Sequence, residues 1–308
     1  MESKIKIEPV LFFKRTNPPV FVISAIIMLV FILLVTLFTE VSKTFFDSIQ
    51  LIIIEKFSWI FTASTVLFLV LVMFLLFSRF GSIRLSSTNE EPEFGYVTWF
   101  AMMFSAGMGI GLVFWSIAEP IKHFIKPPLI EPGTITPVDQ AISITFFHWG
   151  FHAWAIYVMV GLSLAYFAFR KGLPLTIRSC FYPLLGNKIY GRWGHCIDIF
   201  AVVGTMFGVA TSLGLGAMQI NSGLNFIGEC PETKLTQIAL IALITLFATV
   251  SVVLGLKKGV SRLSYFNVMM SVILLAFVFI LGPTLFIVNT FGEGIKNYLS
   301  NIIYFSYW

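Results

Sequence analysis

The sequence predicts an all-α polytopic membrane protein with seven transmembrane helices. Three observations predict it. Hydrophobic residues make up 57% of the 308 residues and charged residues only 11%, where a soluble domain carries roughly a quarter charged residues. The 34 phenylalanines exceed what a water-soluble core of this size can hold, and the mean hydropathy is +0.91. The apolar residues also fall into long runs, and a helix needs about 20 such residues to cross the hydrocarbon core.

The same composition excludes other classes. The net charge of +5 does not point to nucleic acid, because the charges lie between the apolar runs and report topology. Cys180, Cys196 and Cys230 are dispersed and fit neither a disulfide framework nor a zinc pattern. The first apolar run is long and lacks a small-residue cleavage site, so it reads as a signal anchor in the cell membrane.

The seven runs lie near residues 19–38, 57–77, 95–118, 141–169, 197–227, 237–255 and 265–291. The fourth, fifth and seventh are long enough to tilt strongly or run past the membrane. Lys and Arg set the orientation. One side carries Lys4, Lys6, Lys14, Arg15, Arg79, Arg84, Arg170, Lys171, Arg178, Lys188, Arg192, Lys257, Lys258 and Arg262. The other carries only Lys43, Lys56, Lys122, Lys126, Lys234 and Lys296. The tail 1–18 is therefore expected in the cytoplasm and the segment 292–308 along the outer interface. Residues 171–191, with two prolines and three glycines, read as a structured cytoplasmic hairpin. Asp139 and Asp198 read as interfacial helix-start residues.

The third run holds the most informative stretch, residues 103–120, with Gly107, Gly109 and Gly111 at alternate positions. Glycine is a weak helix former that exposes its backbone. Broken helices survive in a bilayer only where they line a protein cavity, so a helix that comes undone at mid-depth predicts a transporter site. Close packing through Ser105 and Gly109 explains some of these small residues but not three alternating glycines. Glu119, before Pro120, reads as an outer-surface residue.

In the fourth run Trp149, Trp154 and Tyr157 share a broad helix sector. Two readings stand open. Aromatic faces bind a quaternary ammonium by cation–π attraction, and aromatic residues also form interfacial belts. His148 and His152, at i and i+4, could share a metal, but no third ligand is near in sequence, and no metal site is expected. In the fifth run Thr205, Thr211 and Ser212 offer hydroxyls for a hard cation. Back-bonding to the helix is the ordinary fate of such groups; it is favoured for Ser212, and Thr205 is open.

The glycine run through Glu119-Pro120, the aromatic block 148–157 with the following 161–172, and the stretch 212–219 together resemble the betaine–choline–carnitine transporter family, of the glycine betaine type. The similarity covers almost the whole chain after the tail. It implies a secondary transporter whose third to twelfth spans form two inverted five-helix repeats, similar to the amino-acid/sodium symporter fold. On that reading residues 19–94 are two peripheral helices and 95–291 the first repeat.

The resemblance also implies site residues. The substrate site takes Gly107, Met108, Gly109, Ile110, Gly111 and Phe114 of the hinge span, with Trp149, Trp154 and Tyr157 as aromatic walls. Sodium, as coupling ion and in place of any cofactor, takes backbone oxygens of Ser105 and Met108. A second sodium site takes Thr205, but Val209 stands where its partner threonine would be. Gly111 is retained where choline-type members often carry an acidic residue, which favours a zwitterion such as glycine betaine. A homotrimer is implied as well. The second repeat is expected to be absent, so the chain reads as a half-transporter that imports nothing without a matching C-terminal half. An inactive fragment, a proton-coupled choline or carnitine transporter, and a metal-dependent membrane enzyme built on His148 and His152 are the alternatives; an enzyme is not expected.

Overall fold

The computed structural model describes residues 16–86, 91–107, 109–128, 136–228 and 230–307, with the backbone alone at 110–112. Among these residues there are helices and turns but no strands. In chain order the helices are α1 (Pro18–Leu37), α2 (Thr39–Phe77), α3 (Tyr96–Gly107), α4 (Ile110–Ile125), α5 (Pro137–Trp149) and α6 (Phe151–Ala165). Two short helices follow, α7 (Ile177–Cys180) and α8 (Tyr182–Leu185). Then come α9 (Arg192–Gly228), α10 (Lys234–Val253), α11 (Ser261–Leu281), α12 (Thr284–Ser300) and α13 (Ile302–Tyr307). Wider π-type turns end α6, at Tyr166–Arg170, and precede α11, at Leu256–Val260. Six stretches are long and apolar enough to cross a membrane: Pro18–Leu37, Thr39–Phe77, Pro137–Arg170, Arg192–Gly228, Lys234–Val253 and Leu256–Leu281. The remaining expected span, 95–118, is the interrupted pair α3 and α4. An all-α polytopic membrane protein is therefore what the sequence folds into.

Three boundaries differ from the sequence expectation, each for a local reason. The second helix begins at Thr39 and not near 57. Its charged residues suggest a loop, but 39–56 contains neither Gly nor Pro, and Thr44 and Ser48 donate to the carbonyls four residues back at 3.0 and 2.7 Å. The fourth span is two helices, because Gly150 leaves helical geometry (φ −90, ψ −141). The seventh stops at Gly282, since Pro283 has no N–H and its ring obstructs the preceding turn. The helix that follows, α12, runs through the boundary drawn at 291, and the segment beyond it is helical at Thr284–Ser300 and Ile302–Tyr307.

The chain divides into two compact units. One contains Met1–Thr88 and Ile156–Gly208. Pro18 and Pro19 open α1, where their missing N–H groups need no helical partner. The α1–α2 junction is a single residue, Phe38, and Phe31 packs edge-on against Phe46 and Phe207. No residue of α2 is buried. The hairpin before α9 is ordered by Asp198. Its Oδ1 accepts from the Arg178 backbone N–H at 3.1 Å, and Oδ2 lies 3.2 Å from Arg178 Nε. Asp198 is buried and anchors the hairpin. Asp139, in the first turn of α5, is a helix-start residue: its N–H donates to the Thr136 hydroxyl.

The other unit contains Asn89–Ala155 and Val209–Trp308. Here α3 packs on α11, α4 on α5, and both α12 and α13 on α5. Its buried cluster is Ile144, Tyr298 and Phe305, surrounded by Phe146, Phe147, Ile302 and Tyr304. The close approach of α12 to α5 depends on Gly294. A Cβ there would stand 2.6 Å from both Ile142 Cγ2 and Phe146 Cε2.

That contact separates two glycines of one helix. Gly294→Ala should lower the thermal stability of the solubilised protein by about 1–3 kcal/mol, the usual penalty for overpacking. Gly292 has nothing within 4 Å of the corresponding position, so Gly292→Ala should be neutral or stabilising. Equal melting temperatures for the two variants would contradict this packing.

Candidate functional site

Glycine composition breaks the third span where the sequence predicts it. Helix α3 ends at Gly107, and α4 starts at Ile110 with Gly109 as its N-cap in extended geometry (φ −80, ψ −171). The first amides of α4 have no helical acceptor, so the break presents N–H donors and the positive end of the helix dipole.

An aromatic ring lies at this break. Trp154, in the first turn of α6, sets its indole against Gly107. A Cβ at Gly107 would stand 2.6 Å from Cη2, 3.2 Å from Cζ2 and 3.3 Å from Cζ3. Gly107 is thus required for the ring to reach the backbone. Trp154 remains 39% exposed, so part of the ring is open to a ligand.

The α5–α6 junction is itself supported. A Cβ on Gly150 would run into the Phe146 carbonyl and come 2.8 Å from the Tyr298 hydroxyl. That hydroxyl accepts the Phe151 N–H at 3.0 Å, capping the start of α6. Tyr298 therefore helps to set where Trp154 stands, and nothing in its local sequence announces that role.

Trp149 ends α5 and points its N–H at a carboxylate. Its Nε1 donates to Glu119 Oε2 at 2.8 Å. His148 Nδ1 donates to the same carboxylate at 2.9 and 3.0 Å, and His123 Nε2 reaches Oε1 at 3.3 Å. Glu119 is only 4% exposed. The expectation of an outer-surface residue is overturned: Glu119 joins α4 to α5. A signal for this exists in the sequence, since an ionisable residue next to an apolar membrane run, with His one helical turn away, is a default functional candidate.

The remaining expected residues divide. Phe114 is half-buried and packs edge-on against Trp115, with ring centroids 5.2 Å apart. Ser105, two residues before the break, donates to the Ser264 carbonyl at 3.3 Å and accepts from Asn267 Nδ2 at 3.2 Å. It borders a groove of about 450 Å³ with Ser251, Ser264 and Asn267. Met108 lies outside the described residues, and Ile110 and Gly111 are described in backbone only, in the first turn of α4. Tyr157 and Thr205 belong to the other unit. Tyr157 is exposed. The Thr205 hydroxyl donates to the Ala201 carbonyl of its own helix at 2.8 Å, which leaves its oxygen lone pairs available.

Two spacing arguments fail at Gly150. Trp149 and Trp154 stand on different helices and do not share one helix sector. His148 and His152 are likewise divided: His148 turns to Glu119, while His152 Nε2 lies 2.9 Å from the Ser306 hydroxyl. Among the described residues no group of three His, Cys, Asp or Glu side chains is placed to hold a metal.

Comparison with known proteins gives the family. Residues 19–308 match the family described as BCCT, betaine/carnitine/choline family transporter. The chain is 44% identical over 290 residues to the glycine betaine transporter of Acinetobacter baylyi, covering 94% of this chain and 44% of that protein. It is 42% identical over 295 residues to a probable glycine betaine transporter of Desulfitobacterium hafniense, covering 96% and 59%. It is 46% identical over 262 residues to the glycine betaine transporter OpuD of Bacillus subtilis, covering 85% and 51%. The chain spans about half the length of these relatives. With a broken hinge helix, an aromatic ring set against it and this similarity along nearly its whole length, the chain belongs to the betaine/carnitine/choline (BCCT) family, a family of membrane transporters and not of enzymes.

Proposed function

We propose that this chain forms part of a sodium-coupled importer of glycine betaine or a closely related quaternary ammonium osmolyte. The observation that carries the reading is the Trp154 ring against Gly107 at the interrupted helix. A quaternary ammonium has no N–H to donate, so aromatic faces and backbone dipoles are its natural ligands. The N–H groups at the start of α4 suit the carboxylate end of a zwitterion. The names of the relatives agree with this substrate class, and the retained Gly111 favours betaine over choline.

The mechanism is alternating access about the break. Sodium bound to backbone oxygens at Ser105 and Met108 stabilises the binding-competent hinge, and Thr205 offers its hydroxyl oxygen to a second sodium. Inward sodium flow supplies roughly 2.3 kcal/mol per charge per 100 mV, plus the concentration gradient. The N-terminus lies in the cytoplasm on the Lys and Arg distribution, and the active assembly is a homotrimer on the family resemblance alone. With a matching C-terminal half co-expressed, replacing sodium by potassium in the uptake medium should abolish accumulation; undiminished uptake would remove sodium from the proposal.

Two substitutions test the site. With the C-terminal half supplied, Trp154→Leu should weaken betaine binding more than Trp154→Phe, by about 1–2 kcal/mol, because only Phe keeps a ring face. Calorimetric titration giving equal affinities would reduce Trp154 to packing. Gly107→Ala should lower affinity about tenfold or more, equivalent to roughly 1.4 kcal/mol, because it displaces the ring. The place a methyl would take on Gly109 has nothing within 4 Å, so Gly109→Ala should cost less.

Orientation has its own test. Reporters active only in the cytoplasm should work when fused after Arg84, Lys188 and Lys258, and fail after Lys126 and Lys296. The reverse pattern would invert the topology.

A further inference from the structure

We propose that Glu119 is a positioning residue for the substrate. Its buried carboxylate fixes the Trp149 indole, and so sets affinity for the quaternary ammonium group through that ring. The inference rests on the reading of Trp149 as a wall of the substrate site.

Trp149 is the last residue of α5, its ring centroid lies 4.9 Å from that of His148, and the chain leaves helical geometry at Gly150. The indole has one polar atom, its N–H, and a half-buried indole needs an acceptor for it. Glu119 Oε2 supplies that acceptor at 2.8 Å. Hydrogen bonds to a carboxylate are shorter and roughly twice as strong as neutral ones.

Glu119 is in turn fixed from both sides. His123 approaches from its own helix and His148 from α5. Two imidazoles and one indole thus occupy a carboxylate that is almost wholly removed from solvent. The acceptor belongs to α4, the helix that begins at the break. The Trp149 ring is therefore tied through its N–H to the hinge helix.

The test separates acceptor, charge and ring. Glu119→Gln keeps an oxygen for the indole N–H, whereas Glu119→Leu removes it. A benzothienyl-alanine incorporated at position 149 keeps the fused ring and replaces the N–H by sulfur. In betaine uptake with a matching C-terminal half co-expressed, Glu119→Leu and the benzothienyl side chain should each raise KM about tenfold, the loss of one charge-assisted hydrogen bond. Vmax should stay within about twofold, and Glu119→Gln should raise KM by less than about threefold on the same reasoning. Combining Glu119→Leu with the benzothienyl side chain should add nothing further. Additive effects, or a Glu119→Gln variant as impaired as Glu119→Leu, would overturn the proposal. If Glu119→Leu does not fold, the benzothienyl arm decides alone, and an unchanged KM refutes the role.

A ligand-free arm distinguishes this proposal from the transport reading. With 5-fluorotryptophan at position 149, the wild-type protein and Glu119→Gln should give one narrow fluorine resonance, and Glu119→Leu a broadened or split one. Absence of betaine uptake by the wild type with a matching C-terminal half co-expressed defeats the transport reading, while identical fluorine spectra across the variants defeat the positioning role.

Discussion

Hydrocarbon offers no hydrogen bonds, so every peptide group in a membrane segment must find its partner within the protein. An uninterrupted helix meets this requirement by itself. An interrupted one does not, and the interruptions in this chain lie where other groups can serve the freed backbone. At Gly150 the Tyr298 hydroxyl takes the Phe151 N–H. At Gly282 and Pro283 the Thr284 hydroxyl donates to the Phe279 carbonyl at 2.7 Å. At Gly109 the first amides of α4 have no acceptor in their own helix, and the Trp154 ring presses on Gly107 at the end of α3. The break therefore leaves backbone donors at the start of α4 and an aromatic ring at the end of α3.

Trp149 and Trp154, the two tryptophans attributed to the site, are positioned by different means. Trp154 reaches the hinge because Gly107 has no side chain, a steric permission. Trp149 is placed by a hydrogen bond to Glu119, an electrostatic one. Glu119, His123, His148 and Trp149 form a polar cluster at the contact of α4 and α5, and in a low-dielectric setting such a cluster is rigid when its donors and acceptor are matched. The hinge helix is thus pinned at its far end, away from its first turn. Ser105 pins the other side of the break to α11 through Ser264 and Asn267. The break lies between these two attachments.

Much of this architecture is legible in the sequence. Apolar run length sets the membrane class and the positions of most spans, because a helix in lipid must be about as long as the hydrocarbon is thick. Alternating glycines mark the break in the third span. Other features are less legible. Gly150 is a single glycine in an apolar run, and sequence periodicity carries a helix through it, which puts Trp149, Trp154 and Tyr157 on one face and pairs His148 with His152. Pro283 likewise sits inside an apolar run whose length outweighs it. Charged residues at 39–56 suggest a loop, although nothing there stops a helix. Glu119 reads as a surface residue, because its partners His148 and Trp149 lie 29 and 30 residues away and sequence spacing cannot report such contacts.

The sequence by itself determined that the chain crosses a membrane, where most of its helices run and where one of them must break. These properties follow from composition and short-range steric rules, which act on neighbours in the chain. Only the tertiary structure decided which side chains meet: that Trp154 fills the space left by Gly107, that Tyr298 caps the start of α6, and that Glu119 is buried among two imidazoles and an indole. Lipid selects for apolar length but not for which helix faces which. Those choices are made by close packing and by the need of buried polar atoms for partners, and both are properties of the assembled helices.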